Sequence, residues 1–218
     1  MTASDGLLAV LERSRRLGFL GPGSLRVQVA HAGGFAVGVV APPGRLLDLG
    51  SGGGVPGLVL AEVWPAAEVV LLDASEKRCA FLAEAVTALG LAERVRVVRS
   101  RAEDAGRRPD LRAGFDLVVA RGFGPPAVTA ECGAPFLRPG GRLVVSEPPE
   151  DGDGDAREQV APGTQAPSRW PEAGLAVLGL APAEEWSEPF HYRCLVARSA
   201  CPDRFPRRVG IPAKRPLF

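Results

Sequence analysis

Two carboxylates and five glycines stand where a ligand could be held. Asp48 and Asp73 each close an apolar run, and Gly50, Gly52, Gly53, Gly54 and Gly57 follow the first of them in LLDLGSGGGVPGLVLA. Glycines let a backbone approach a bound molecule closely and adopt positive φ. Gly52, Gly54 and Gly57 satisfy G-x-G-x-x-G, the dinucleotide fingerprint, but that pattern alone is shared by several cofactor classes. Asp48 separates them. Its carboxylate, two residues before Gly50, would repel a pyrophosphate, whereas it suits the cationic amino end of S-adenosylmethionine, directly or through water. Asp73, 16 residues after Gly57, is placed to accept both hydroxyls of an adenosyl ribose, a contact that nicotinamide proteins would share. S-adenosylmethionine is therefore the expected cofactor. A nicotinamide cofactor, or a glycine turn that serves only helix packing, are the rival readings.

Such a turn works only between elements that fix it. RLLDLG reads as a strand, and PGLVLAEVW as a helix beginning at Pro56, which needs no amide proton in a first turn. EVVLLD is a second strand ending at Asp73. SEKRCAFLAEAVTALG is a helix that Ser75 can cap and Gly90 can stop, with Cys79, Phe81, Leu82, Val86 and Leu89 on its apolar face. RVRVVRS and FDLVVAR read as strands three and four, PPAVTAECGAPFL as a helix, and PGGRLVVSE as a fifth strand entered through a Pro139-Gly140-Gly141 turn. LAVLGLAPAEEW and FHYRCLVARS are expected to finish the sheet as a strand pair. Repeated strand-helix-strand units predict an α/β, Rossmann-like fold: a seven-stranded, mostly parallel sheet with helices on both faces and ligands at the carboxyl edge of the strands.

Residues 1–200 read as one domain, with 1–44 as a helical lead-in and 148–168, rich in Pro, Gly and acid, as an exposed flexible insert. Residues 201–218 read as an extended basic tail in which three prolines from Pro206 onward disfavour regular helix. Hydrophobic residues make up 46% and charged residues 23% of 218, a globular balance. No apolar run approaches the length of a membrane span, and the N-terminus lacks the order of a signal peptide, so a cytoplasmic protein is expected. Net charge is +1 and argues neither for nor against nucleic acid. Cys79, Cys132, Cys194 and Cys201 form no C-x-x-C pair and have only His31 and His191 for company, so buried free thiols are expected and a metal site is not. Cys132 reads as core and His31 as structural. Arg121 ends the apolar strand FDLVVA, where a charge must face a cleft and a partner. It suits a cofactor carboxylate or an RNA phosphate, the alternative being a structural ion pair with Glu103 or Glu147.

Together LLDLGSGGGVPGLVLA, LLDASEKRCAFL, VRSRAED, VVARGF and FPRRVGIPAKRPL resemble one family, the bacterial small-subunit ribosomal RNA guanine-N7 methyltransferases, also called the glucose-inhibited division protein B family. The likeness spans roughly residues 11–147 and 202–217. It implies a class I methyltransferase fold, S-adenosylmethionine as cofactor and N7 of a guanine in 16S RNA as acceptor, with the RNA or the small ribosomal subunit as partner; a monomer is expected in solution. By the same likeness Gly50 and Val55 would line the cofactor loop, Ala102 and Glu103 would sit against the adenine, and Arg121 would complete the site. The tail, through Arg204, Arg207, Arg208, Lys214 and Arg215, would clamp the RNA backbone, with Phe205 able to stack on a base. Loss of residues 202–218 would then leave cofactor affinity unchanged. The acids of SEPPEDGDGD stand where the family tends to carry Lys-Gly, and acids repel phosphate. A methyltransferase of a small molecule or other acceptor, and a non-catalytic RNA- or ribosome-binding protein, are the other readings.

Overall fold

The computed structural model describes residues 3–39, 41–148, 168–187 and 190–218. Most of the expected acidic insert, residues 149–167, therefore lies outside the described residues. Two helices, α1 (Asp5–Arg16) and α2 (Leu25–Val37), come first. Ser4 caps α1 by accepting from the Leu7 amide, and the buried stripe of that helix runs Leu7, Leu11, Ser14. Alternation follows: β1 (Arg45–Leu49), α3 (Gly57–Val63), β2 (Glu68–Asp73), α4 (Glu76–Ala88), β3 (Val95–Arg99), α5 (Ala102–Ala105), β4 (Phe115–Ala120), α6 (Pro126–Gly133) and β5 (Leu137–Ser146). The chain continues through α7 (Glu172–Ala176), β6 (Leu180–Trp186), β7 (Tyr192–Ala197) and α8 (Ile211–Lys214).

The seven strands form one sheet in the order β3-β2-β1-β4-β5-β7-β6. Pairing is parallel from β3 through β5, and β7 is inserted antiparallel to both of its neighbours. The expected seven-stranded, mostly parallel sheet is thus the one found. Because side chains alternate along a strand, each strand feeds two cores. Leu46, Val69, Leu71, Leu117 and Val119 pack with α1 to α4 on one face. Leu47, Leu49, Val70, Leu72, Val118 and Ala120 pack with α5, α6 and the C-terminal segment on the other. Such strands read as continuous apolar runs, and β1 breaks that rule at Asp48.

Local signals act as expected around α4: the Ser75 side chain accepts from the Arg78 amide, and Gly90 follows the helix end at a φ of +66°. Three segments differ from expectation. The fifth strand starts at Leu137 and runs through the Pro139–Gly141 segment, absorbing it as a register shift opposite Phe115 and Leu117 with Gly140 at φ +82°. The first residues of LAVLGLAPAEEW complete α7, and the chain turns at Gly179, φ +78°, before β6 begins.

The C-terminal segment departs most. Instead of an extended tail it carries the helical turn α8, with Pro212 in its first turn, where a missing amide proton costs nothing. It is also docked. Phe205 is only 4% exposed within the α5/α6 core, and the Arg112 guanidinium donates to the carbonyls of Gly106, Phe205 and Cys201 at 3.0, 2.9 and 2.8 Å. Apolar burial and these bonds supply the order that helix propensity in a proline-rich stretch does not.

Candidate active site

Four connections converge at the carboxyl edge of the sheet: the glycine turn after β1, the end of β2, α5 after β3, and the turn after β4. The glycine turn is tied down from all sides. The amides of Gly50 and Ser51 both donate to the Leu72 carbonyl of β2 at 2.9 Å, and the Ser14 hydroxyl of α1 donates to the Gly53 carbonyl at 2.9 Å. Gly50, Gly52 and Gly54 take φ of +77°, +53° and +96°. A methyl group on Gly50 would come within 2.8 Å of the Phe123 ring, so the turns after β1 and β4 are in contact. Gly57 is required for a different reason: a Cβ there would lie 2.4 Å from Leu71 and 2.5 Å from the Asp48 carboxylate.

Asp48 is wholly buried. Its Oδ2 accepts from the Gly57 amide at 2.9 Å, fixing the start of α3, while its Oδ1 has no partner. Burial raises the Asp48 carboxyl to about 7, against the lowering effect of the Gly57 amide. With no exposed surface, Asp48 favours the indirect form of the contact expected for it: a cation held at the glycine turn would stabilise its charge through a poorly screened interior. Asp73 is 7% exposed; Oδ2 accepts from the Gly52 amide at 2.9 Å and Oδ1 from the Ser75 amide at 2.8 Å. Each oxygen keeps a second lone pair for a ligand hydroxyl. An orphaned buried acceptor, a second carboxylate at the neighbouring strand end and a turn of positive-φ glycines fit the amino, ribose and backbone-contact needs of S-adenosylmethionine. Val55 gives its side chain to the core, so its contact with a ligand would be through the main chain.

Arg121 follows β4 and pairs with neither of the acids considered for it. Its guanidinium bonds the side chain of Gln28 on α2. Glu147 is instead engaged by Arg169 and by the Trp170 indole at 3.0 Å, and Glu103 accepts from the Gly210 amide at 2.9 Å. Beside Arg121 a cleft of about 360 Å³ opens between the ends of β4 and β5, lined in part by Phe123, Glu147, Arg169 and Trp170. His31, one turn after Gln28, packs among Phe35, Phe190 and Tyr192. Burial, reinforced by Arg121, lowers its imidazole to about 4, which keeps it neutral. Burial also pushes the Cys132 thiol far up, so it is no nucleophile. All four cysteines are buried and free, and no group of metal ligands exists among the described residues.

The predicted RNA-contact residues divide. Arg204, Arg208, Lys214 and Arg215 are exposed and form no ion pair among the described residues. Arg207 does not belong with them. Its amide and guanidinium are spent on Glu131 of α6, which is fully buried, at 2.6 to 3.2 Å. Phe205 lies in the core beneath Arg204 and is not free to stack on a base. Sequence reasoning missed Ser14 and Gln28. Ser14 was findable, since it continues the Leu7-Leu11 stripe and a hydroxyl on a buried stripe needs a partner; Gln28 carries no comparable signal.

Solved structures of other proteins share this architecture. A putative O-methyltransferase from Klebsiella pneumoniae matches with a TM-score of 0.64 at 17% identity, covering 91% of this chain and 92% of that one. An SAH-bound methyltransferase from Podospora anserina matches with a TM-score of 0.52 at 22% identity over 66% and 62% of the two chains. The fold is that of the class I methyltransferases. The model of one family, described as rRNA small subunit methyltransferase G (GidB), matches residues 36–151. Ribosomal RNA small subunit methyltransferase G of Moorella thermoacetica is 34% identical over 82% of this chain and 71% of its own length, and that of Roseiflexus castenholzii is 36% identical over 81% and 72%. The chain belongs to this family.

Proposed function

We propose that this chain methylates N7 of a guanine in 16S ribosomal RNA with S-adenosylmethionine as donor. Family membership supports the substrate class, and one observation carries the cofactor: the buried carboxylate of Asp48, with an unpartnered oxygen, behind a positive-φ glycine turn. S-adenosylmethionine, when bound, supplies a methyl group made electrophilic by its sulfonium. Guanine N7 has an in-plane lone pair and no proton to lose, so the chain needs no general base and its task is alignment and exclusion of water. The neutral His31 and the protonated Cys132 are consistent with that division of labour. Arg121, released from Gln28, would reach the cofactor carboxylate or an RNA phosphate as a positioning group. Arg204, Arg208, Lys214 and Arg215 would meet the RNA backbone.

The test is transfer of tritiated methyl from S-adenosylmethionine to 30S subunits or free 16S RNA from a strain lacking the family enzyme, with Asp48→Ala as control. Label recovered as 7-methylguanine, and lost in the control, is the expected outcome; cofactor binding without label in RNA would overturn the acceptor.

A further inference from the structure

The C-terminal segment has two faces, and only one of them looks outward. Its outer face carries Arg204, Arg208, Lys214 and Arg215. Its inner face is bonded to α5, α6 and the α5–β4 connection. Arg207 closes a bidentate pair on Glu131 and also donates to the Arg215 carbonyl at 2.7 Å, which ties the two ends of the segment together. Gly210, at φ +78°, directs its amide onto the Glu103 carboxylate. Arg107 of the α5–β4 connection bonds the Pro206 carbonyl, and Arg112 joins Gly106 to Phe205. Phe205 completes the hydrophobic packing of Ala102 and Ala105. α5 is a single turn of four residues with no side-chain cap of its own. It leaves β3 next to Asp73, the Ser100 amide donating to the Asp73 carbonyl at 3.0 Å. A turn that short has almost no intrinsic stability, so its position is set by what packs on it. Those neighbours are α6 and residues 205–210.

We propose that residues 205–210 are the outer wall of the cofactor pocket, and that Gly210, through Glu103, and Arg207, through Glu131 of the neighbouring α6, act as positioning residues that hold α5 in the orientation that binds the adenosyl group. The proposal rests on the S-adenosylmethionine reading above. It reverses the expectation that the segment serves RNA alone: the inner face tunes cofactor affinity, the outer face RNA affinity.

Three proteins separate these roles: the wild type, Arg207→Ala, and a variant with Arg204, Arg208, Lys214 and Arg215 all changed to Ser. Calorimetric affinity for S-adenosylhomocysteine should fall about tenfold in Arg207→Ala, as for loss of one charge-assisted positioning contact, and KM for S-adenosylmethionine should rise more than kcat falls. Arg207→Lys should recover part of the loss. The four-site variant should keep cofactor affinity within about twofold while losing RNA affinity, since it removes phosphate contacts and, within the segment, only the stacking of Arg204 over Phe205. Arg207→Ala strands the Glu131 carboxylate and could unfold the chain, so a second measurement uses only the wild type. Hydrogen exchange with and without S-adenosylhomocysteine should show the amides of Arg207 and Gly210 protected on binding. Unchanged exchange at both amides, or unchanged affinity in a folded Arg207→Ala, overturns the proposal. A wild type that binds no S-adenosylhomocysteine would instead overturn the cofactor reading itself.

Discussion

Asp48 concentrates the chemistry of single residues. A carboxyl raised by burial to about 7 is protonated in part at neutral pH. The sign of the linkage follows: the unfolded chain ionises near the ordinary carboxylate value while the folded one holds its proton, so the contribution of Asp48 to the stability of the ligand-free protein is fully present below about pH 4 and is lost progressively as pH rises through about 7. A cationic ligand at the glycine turn favours the ionised form, so affinity for S-adenosylhomocysteine should rise from pH 6 to pH 8 and then level off. Binding near pH 6.5 should release a proton, visible as a difference in calorimetric heat between buffers of unlike ionisation enthalpy. Asp48→Asn should abolish both effects; a pH dependence retained in that variant would assign it to another group. That Asp48 is exceptional was legible in the sequence, because an acid in an otherwise apolar strand end must answer to something. Its full burial and its bond to Gly57 were not, since both depend on how closely α3 approaches the strand.

At the scale of elements, β1, β2, α4 and the alternation of the first five strands could be read almost residue by residue, because parallel strands buried on both faces leave unbroken apolar runs and Ser75 and Gly90 punctuate the helix between them. α5 could not: four residues carry no period. The glycine turn allows a contrast between two substitutions. Gly90→Ala meets open space and suffers only its left-handed φ, a cost of about 1 kcal/mol. Gly57→Ala drives a methyl group into Leu71 and Asp48 and should cost about 1 to 3 kcal/mol of stability, as overpacking does. Cofactor affinity should collapse in the second and stay unchanged in the first. Equal affinities in the two variants, measured at a temperature where both are folded, would show that α3 can retreat without disturbing the turn.

For the whole molecule, the C-terminal segment decides what the sequence could not. Its charge pattern was plain, but which cations face outward depends on Glu131, 76 residues earlier, and on core space for Phe205. Four exposed cations remain. Exchanging all four for Ser should weaken binding to 16S RNA and flatten its salt dependence by about 3 in the slope of log K against log salt, at roughly 0.7 to 0.9 per phosphate contact. Filter binding across 50 to 300 mM salt would measure it, and an unchanged slope would place the RNA on another face. The bond from Gly210 to Glu103 spans 107 residues of chain. That separation gives the molecule an order of completion during its synthesis. The glycine turn, both carboxylates and α5 leave the ribosome long before residues 205–210, so a nascent or truncated chain has the cofactor residues but lacks the last wall around them. On the pocket reading above, such a chain binds the methyl donor poorly, and acquisition of the cofactor doubles as a check that synthesis has passed residues 205–210.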